Sequence, residues 1–354
     1  MKCCLITGVT GQDGAYLARL MLEKGYAVVG TRRGGDLRNL WRLQHLGVLQ
    51  HPNFSLSENN LLHIDSVYAL LTRFEPQEIY HLASPSSVAQ SFVHPHETFH
   101  AINTSTLNLL ESVRKMDHSI RFFLASSSEI FDFSSAPQDE NAPLRPRSPY
   151  AVGKLNAQWL ANNYRECFGV FASIGILFNH ESPIRGSQFV TKKISQGAVQ
   201  VALGLKECFE LGNLNAQRDW GYAPEYVECM WRIIQAPTAD TYVVASQRVE
   251  SVRNFVLYVF NALGIGLEFC GSAINEVAVV RSIRPHKGGL AQVSLGQTVM
   301  RVSPTLLRLS DSQVVLGNPA KARAELDWVA KTDLNTICTY MVDHELGLTP
   351  VPAL

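Results

Sequence analysis

Cys3-Cys4-Leu5-Ile6-Thr7-Gly8-Val9-Thr10-Gly11-Gln12-Asp13-Gly14, continuing as Ala15-Tyr16-Leu17-Ala18-Arg19-Leu20-Met21-Leu22-Glu23-Lys24-Gly25, decides the fold. The opening apolar run has no polar alternation, which fits a strand buried on both faces of a parallel sheet. Three glycines follow at G-x-x-G-x-x-G spacing, then residues 15–24 with helical periodicity, and Gly25 is placed to end that helix. Tyr26 to Thr31 predicts a second strand, completing a β-turn-α-β unit. Glycine permits a tight turn and close approach to a pyrophosphate. The helix N-terminus offers N–H groups and the positive end of its dipole. Dinucleotide binding is the function predicted, against the plainer reading of a glycine turn that only packs a helix on a sheet.

The end of the second strand selects the cofactor. An acid there would bind a ribose 2′-hydroxyl, whereas this chain has Arg32-Arg33. Guanidinium groups pair with phosphate oxygens, so NADP is expected; the plainer reading is a solvated basic loop.

Further out, apolar strands are predicted at 78–82, 120–126 and 170–177, with helical stretches near 65–74 and 98–116. The alternation implies a Rossmann-type, doubly wound parallel α/β sheet. Such sheets bind ligands beyond the carboxyl ends of their strands, so polar clusters there carry weight. One is Leu124-Ala125-Ser126-Ser127-Ser128-Glu129. If the extended geometry persists, Ser127 and Glu129 share a side; the plainer reading is a turn with a capping serine. Downstream, Ser148-Pro149 is a good helix start, and Tyr150 and Lys154 fall four apart on one helical face. An ammonium near a phenol stabilises its phenolate, which makes a general base for a hydroxyl whose carbon gives up hydride.

Composition bounds the rest. The chain has 354 residues, 46% apolar and 18% charged, with 31 basic and 31 acidic residues. That suits a compact soluble protein, and net neutrality argues against a general nucleic-acid binder. The seven cysteines are scattered without a C-x-x-C pair, which reads as reduced thiols and a cytoplasmic location. The N-terminal apolar run is too short for a secretory leader, and no stretch predicts a membrane span. His94-x-His96-x-x-x-His100 has conceivable ligand spacing, but the chemistry expected here needs no metal.

The glycine loop, serine cluster and Tyr150-x-x-x-Lys154 resemble the extended short-chain dehydrogenase/reductase family. Asn179-His180-Glu181-Ser182-Pro183 with Arg185-Gly186, Arg218-Asp219-Trp220-Gly221, Pro304 to Arg308, and Gly317-Asn318-Pro319-Ala320 with Leu326-Asp327-Trp328 are similar to the GDP-mannose 4,6-dehydratase family. The resemblance covers nearly the whole chain. It implies that a GDP-sugar loses water to give a 4-keto-6-deoxy sugar, with NADP oxidising C4 and later reducing C6. Tyr150 with Lys154 would take the C4 hydroxyl proton. Glu129 would take the C5 proton and assist departure of the C6 hydroxyl, and Ser127 would hydrogen-bond the C4 oxygen. It further implies cofactor contacts from Gly8, Thr10, Gly11, Gln12, Asp13, Gly14, Arg32, Arg33, Asn60, Leu61, Leu82, Ser84, Ser86, Tyr150, Lys154, His180 and Arg185. Substrate contacts would come from Ser127, Asn179, Lys193, Arg218 and Arg308.

The chain departs from the family pattern at Ser127 for Thr, Asn60 for Asp, Ser84-Pro85 for Ala-Gln, Glu97 for Tyr, Asp132 for Gly, Tyr222 for His, and Gly34-Gly35-Asp36 for a serine-rich loop. These cluster at cofactor and substrate edges, which keeps a related GDP-sugar such as GDP-manno-heptose in view. The same scaffold would also serve a GDP-sugar reductase or epimerase, or a non-catalytic nucleotide sensor. The expected organisation is an NADP-binding domain over 1–178 and a smaller α/β GDP-sugar domain over 179–354, with about 215–245 returning to the first. Leu107, Leu109 and Leu110 with Trp159-Leu160 suggest a two-helix face for a homodimer or homotetramer, against ordinary core packing.

Overall fold

The computed structural model describes residues 1–34, 40–116, 119–133, 137–287, 289, 291–307 and 314–348. Arg308, Gly35 and Asp36 lie outside the described residues. In chain order come β1 (Cys3–Thr7), α1 (Gln12–Glu23), β2 (Ala27–Arg32), α2 (Trp41–His45), β3 (Phe54–Glu58), α3 (Ile64–Phe74) and β4 (Glu78–His81). Next are α4 (Val88–Val93), α5 (Pro95–Met116), β5 (Arg121–Ser127), α6 (Pro149–Phe168), β6 (Ala172–Leu177) and β7 (Asn179–Glu181). Then follow α7 (Val190–Ala202), β8 (Phe209–Leu211), β9 (Gln217–Tyr222), α8 (Ala223–Gln235), β10 (Thr241–Val244), β11 (Val249–Ser251) and α9 (Val252–Ala262). The remainder is β12 (Ile265–Cys270), β13 (Val277–Ile283), β14 (Thr298–Val302), β15 (Val314–Val315), α10 (Ala320–Leu326) and α11 (Leu334–Glu345).

Seven strands form one parallel sheet in the order β10-β6-β5-β4-β1-β2-β3. Cys4 to Ile6 have no exposed surface, and every residue of β6 is buried, as a sheet covered on both faces requires. Strand order reverses at β1, which has β2 on one side and β4 on the other. The ligand crevice of such a sheet lies beyond the carboxyl ends at that reversal.

The chain divides into two compact units. The first is Met1–Phe178, Ala223–Ser246 and Gly317–Ala330. The return to it starts at Ala223, because β9 before that point pairs with β7, β11 and β15 of the second unit. Gly317–Ala330, which the sequence reading leaves in the second domain, joins the first through long-range polar contacts. The Lys321 ammonium pairs with Asp240 at 2.5 Å, Tyr242 donates to Glu325 at 2.9 Å, and Trp328 donates to the Glu225 carbonyl at 3.0 Å.

The second unit is Asn179–Tyr222, Gln247–Leu316 and Lys331–Leu354. It holds a sheet ordered β12-β13-β14-β8 and a smaller one built on β9. Its core includes Ile194, Phe255, Ile337 and Met341, with Phe209 stacked on Phe260 and Trp220 edge-on to Phe255. Among the described residues, no helix is long and apolar enough to cross a membrane.

Candidate active site

The glycine loop is built by steric exclusion. Gly8 has φ +71°, and a Cβ there would meet Ala83 Cα at 2.9 Å. At Gly14 a Cβ would fall 2.4 Å from the Gly8 carbonyl oxygen, so only glycine lets α1 sit this close to the turn. Gly11 caps α1 in extended conformation with no side-chain cap, and a Cβ on it would approach only Gly8 O, at 3.3 Å. A helix start left open by its own side chains suits a pyrophosphate. Alanine favours a helix interior over glycine by about 1 kcal/mol. Gly14→Ala should nevertheless destabilise the protein, by about 1–3 kcal/mol of overpacking, and weaken dinucleotide binding. Denaturant melts and a cofactor titration check this; an unchanged melt would contradict the close-packing argument.

Around the loop, Gln12 is buried and donates to Asp13 Oδ1 at 3.0 Å, and the Thr10 carbonyl accepts from Arg42 at 3.2 Å. Arg32 ends β2 in an ion pair with Glu58, and Arg33 is exposed beyond it. Asn60 is exposed and turns the chain by accepting from the Leu62 N–H at 3.1 Å. Leu61 is buried, and its carbonyl accepts from Asn108 at 2.9 Å. Leu82 and Ser84 are half-buried just past β4, and Ser86 is exposed.

His81 is a residue of this region to which sequence reasoning gave no role. It closes β4 with no isolated motif to mark it. The Ser105 hydroxyl donates to the Ala101 carbonyl at 2.6 Å, so its oxygen accepts from His81 Nε2–H at 3.1 Å. Nδ1 then accepts from the Thr7 hydroxyl at 2.8 Å, and Thr7 Oγ1 accepts from the Leu82 and Ala83 N–H groups at 3.2 Å. One neutral imidazole thus ties the ends of β1 and β4 to α5. Burial, with the Lys154 charge second, pulls its pKa from 6.5 to about 3. The unfolded chain therefore takes up this proton first, and stability falls with pH from about 6.5 towards about 3. The loss approaches about 1.4 kcal/mol per pH unit in that window. His81→Asn should flatten the acid side of the stability–pH curve in denaturant titrations; equal slopes in both proteins would contradict it.

The elements that bear the catalytic candidates meet at the end of β5. Extended geometry stops at Ser127, because residues 128–130 close a single 3₁₀ turn; Ser127 caps it, accepting from the Glu129 N–H at 3.3 Å. That turn replaces the strand alternation that would have put Ser127 and Glu129 on one side had the extended geometry persisted. Ser127 is buried and Glu129 half-buried. Helix α6 packs on both β5 and this turn. Its start is fixed by Ser148 Oγ, which accepts from the Ala151 N–H at 3.1 Å, with Pro149 in the first turn. Tyr150 and Lys154 are both buried on its inner face. The Lys154 ammonium donates to the Ala125 carbonyl at 2.8 Å and lies 5.8 Å from the Tyr150 ring centre. Burial pulls the Lys154 pKa from 10.5 to about 8, with the Asp13 carboxylate acting against it. One turn further, Gln158 accepts from Ser126 at 2.8 Å, pinning α6 to the strand. Asp132, past the turn, faces Arg147 at 3.3 Å and Arg145 at 3.9 Å.

In the second unit, Asn179 is half-buried and His180 buried on β7. The buried Glu181 carboxylate pairs with Arg185 at 3.1 Å and accepts from Thr191 at 2.6 Å. Arg185 stacks over Phe189, 3.6 Å from the ring centre. Lys193 is exposed, whereas the neighbouring Lys192 is buried, donating to the Pro183 carbonyl at 2.6 Å and pairing with Glu345. Arg218 is half-buried on β9, and its guanidinium donates to the Gln217 carbonyl at 2.9 Å. Tyr222 is buried against Tyr340. Glu97 is exposed, and His100 bonds Thr104 at 2.9 Å. Among the described residues no group of three or more His, Cys, Asp or Glu side chains could hold a metal ion. The seven cysteines are all free thiols.

The sequence model of the family described as GDP-mannose 4,6 dehydratase matches residues 5–341. A GDP-mannose 4,6-dehydratase of Yersinia enterocolitica is 41% identical over 352 residues, covering 98% of this chain and 94% of that one. A dTDP-glucose 4,6-dehydratase of Bacillus anthracis, solved in complex with NAD, superimposes with a TM-score of 0.77 at 17% identity, over 97% of this chain and 96% of that one. RMD of Pseudomonas aeruginosa, complexed with NADPH, gives 0.74 at 19% identity, over 98% and 99%. At those identities the two structures establish a shared fold.

Proposed function

The chain belongs to the GDP-mannose 4,6-dehydratase family, and from that premise we propose that it is an NADP-dependent hydro-lyase converting GDP-mannose to GDP-4-keto-6-deoxymannose. The observation that carries the reading is the convergence at the end of β5, where the turn bearing Ser127 and Glu129 packs against the helix bearing Tyr150 and Lys154. A plain dehydrogenase needs the phenol and the ammonium but has no use for the carboxylate.

Gly8, Gly11 and Gly14 with the start of α1 would hold the pyrophosphate, Arg32 and Arg33 the 2′-phosphate, and Tyr150 and Lys154 the nicotinamide ribose. When bound, the nicotinamide ring accepts hydride from C4 of the sugar and returns it to C6. Tyr150 removes the C4 hydroxyl proton, and the buried Lys154 ammonium favours the phenolate that does so. Ser127 hydrogen-bonds the same oxygen. The C4 ketone acidifies C5, so Glu129 can take that proton and then protonate the departing C6 hydroxyl, which leaves as water. Once hydride is back on C6, C5 takes a replacement proton from solvent, and Tyr150 returns the C4 hydroxyl proton to solvent. Asn179, Lys193, Arg218 and Arg308 are proposed for the GDP-sugar, and His180 and Arg185 for the cofactor side. A homodimer or homotetramer is also inferred: Leu107 and Trp159 point outward from α5 and α6, 41% and 58% exposed, whereas Leu109 and Leu110 turn into the core.

Incubation with NADP and GDP-mannose, followed by mass analysis of the sugar nucleotide, tests the reading. Loss of one water is expected. Unchanged GDP-mannose beside bound NADP would overturn it in favour of a nucleotide sensor, and dehydration of a GDP-heptose alone would move it to that sugar. An isomer of equal mass would instead mean an epimerase, and a gain of two hydrogens by a GDP-4-keto sugar incubated with NADPH would mean a reductase.

A further inference from the structure

Arg32 and Glu58 are the last residues of β2 and β3, adjacent parallel strands, and they stand opposite each other in register. Both therefore lie at the carboxyl edge of the sheet, where dinucleotides bind in this fold. Their side chains form an ion pair, with Arg32 only 11% exposed and Glu58 55% exposed. The carboxylate also reaches over the turn that follows: a Cβ on Gly34 would lie 3.3 Å from Glu58 Oε2. The half of the basic pair that is packed in place thus already has an anionic partner. Arg33, the other half, is exposed.

We propose that Glu58 is a specificity-determining residue that narrows the preference for the 2′-phosphorylated cofactor. The inference rests on the dinucleotide-binding reading above. A 2′-phosphate brings between one and two further negative charges to the spot where Glu58 holds Arg32. Binding it requires the guanidinium to be shared or released, with two anions left close together. A 2′-hydroxyl carries no such cost and can donate to the same carboxylate. Glu58 thereby weakens NADP relative to NAD, although the arginine pair alone would favour NADP strongly.

The test is calorimetric titration of NADP+ and NAD+ into the wild-type protein and Glu58→Gln, with adenosine 2′,5′-bisphosphate and ADP as fragment probes. The ratio of NADP+ to NAD+ affinity should rise about tenfold in the variant, the scale expected from removing one like charge a few ångströms away at a water-exposed site. The fragment ratio should rise alike, while NAD+ and ADP affinities stay within about twofold or weaken. An unchanged ratio overturns the proposal, and a lower one would mean that Glu58 poises Arg32 for the phosphate. In the Glu58→Gln background, Arg32→Ala should cost more NADP+ affinity than in the wild type; equal losses count against the competition. If wild-type protein binds none of the four ligands, the dinucleotide reading itself fails and this inference falls with it. Thermal melts of Glu58→Gln should match wild type, because the side chain is more than half exposed.

Discussion

Tyr150→Phe should lower kcat for dehydration by about 10³-fold while leaving affinities for GDP-mannose and NADP within a few-fold. The variant keeps the buried ring and its place in the first turn of α6, and removes only the hydroxyl. Lys154→Met should fall by a similar factor, since the ammonium that favours the phenolate goes with it. The wild-type pH profile follows from the same pair. Lys154 titrates near 8 in the folded protein, so its charge is present below that pH and lost above it. Activity should accordingly decline on the alkaline side of about 8. Folding carries the opposite sign. A lysine whose pKa is depressed from 10.5 to about 8 opposes folding below about 8, and that cost is relieved as pH rises towards 10.5. A kcat for Tyr150→Phe within tenfold of wild type would remove the phenol from the mechanism.

Glu129→Gln separates a dehydratase from a simple oxidoreductase. The amide keeps size and hydrogen bonding but cannot take a proton, so formation of the dehydrated sugar should drop by about 10²–10⁴-fold. In the proposed mechanism, oxidation at C4 runs through Tyr150, Lys154 and Ser127 without Glu129 and should survive, visible as the near-ultraviolet absorbance of reduced nicotinamide when GDP-mannose is mixed with the holoenzyme. Loss of both signals together would place Glu129 in binding or folding, and full dehydration by the variant would assign the C5 proton to another base.

Local chemistry in the sequence was enough to find β1, α1, β2, α3, β4, α5, β5, α6 and β6, and to name the residues proposed for the site. The run at Cys3–Thr7, the glycines and the helix at Gln12–Glu23 are each specified by neighbours in the chain. Ser148-Pro149 likewise announces the helix that carries Tyr150 and Lys154. What escaped depends on register between distant segments. The Arg32–Glu58 pair exists because β2 and β3 align those two residues, 26 apart in sequence, and no periodicity encodes that alignment. His81 becomes an anchor only when β4 lies beside β1 and α5 supplies Ser105. The return of Gly317–Ala330 to the first unit rests on Asp240 and Lys321, 81 residues apart. Lys192 and Lys193 look alike in sequence, and only the phase of α7 buries the first and exposes the second.

The decisive reaction is run in deuterium oxide with wild-type protein, NADP and GDP-mannose. If Tyr150 and Glu129 act on the same sugar, the product lacks the elements of water and carries one solvent deuterium at C5. A sugar nucleotide recovered intact, or a dehydrated product holding its original C5 hydrogen, would contradict that chemistry.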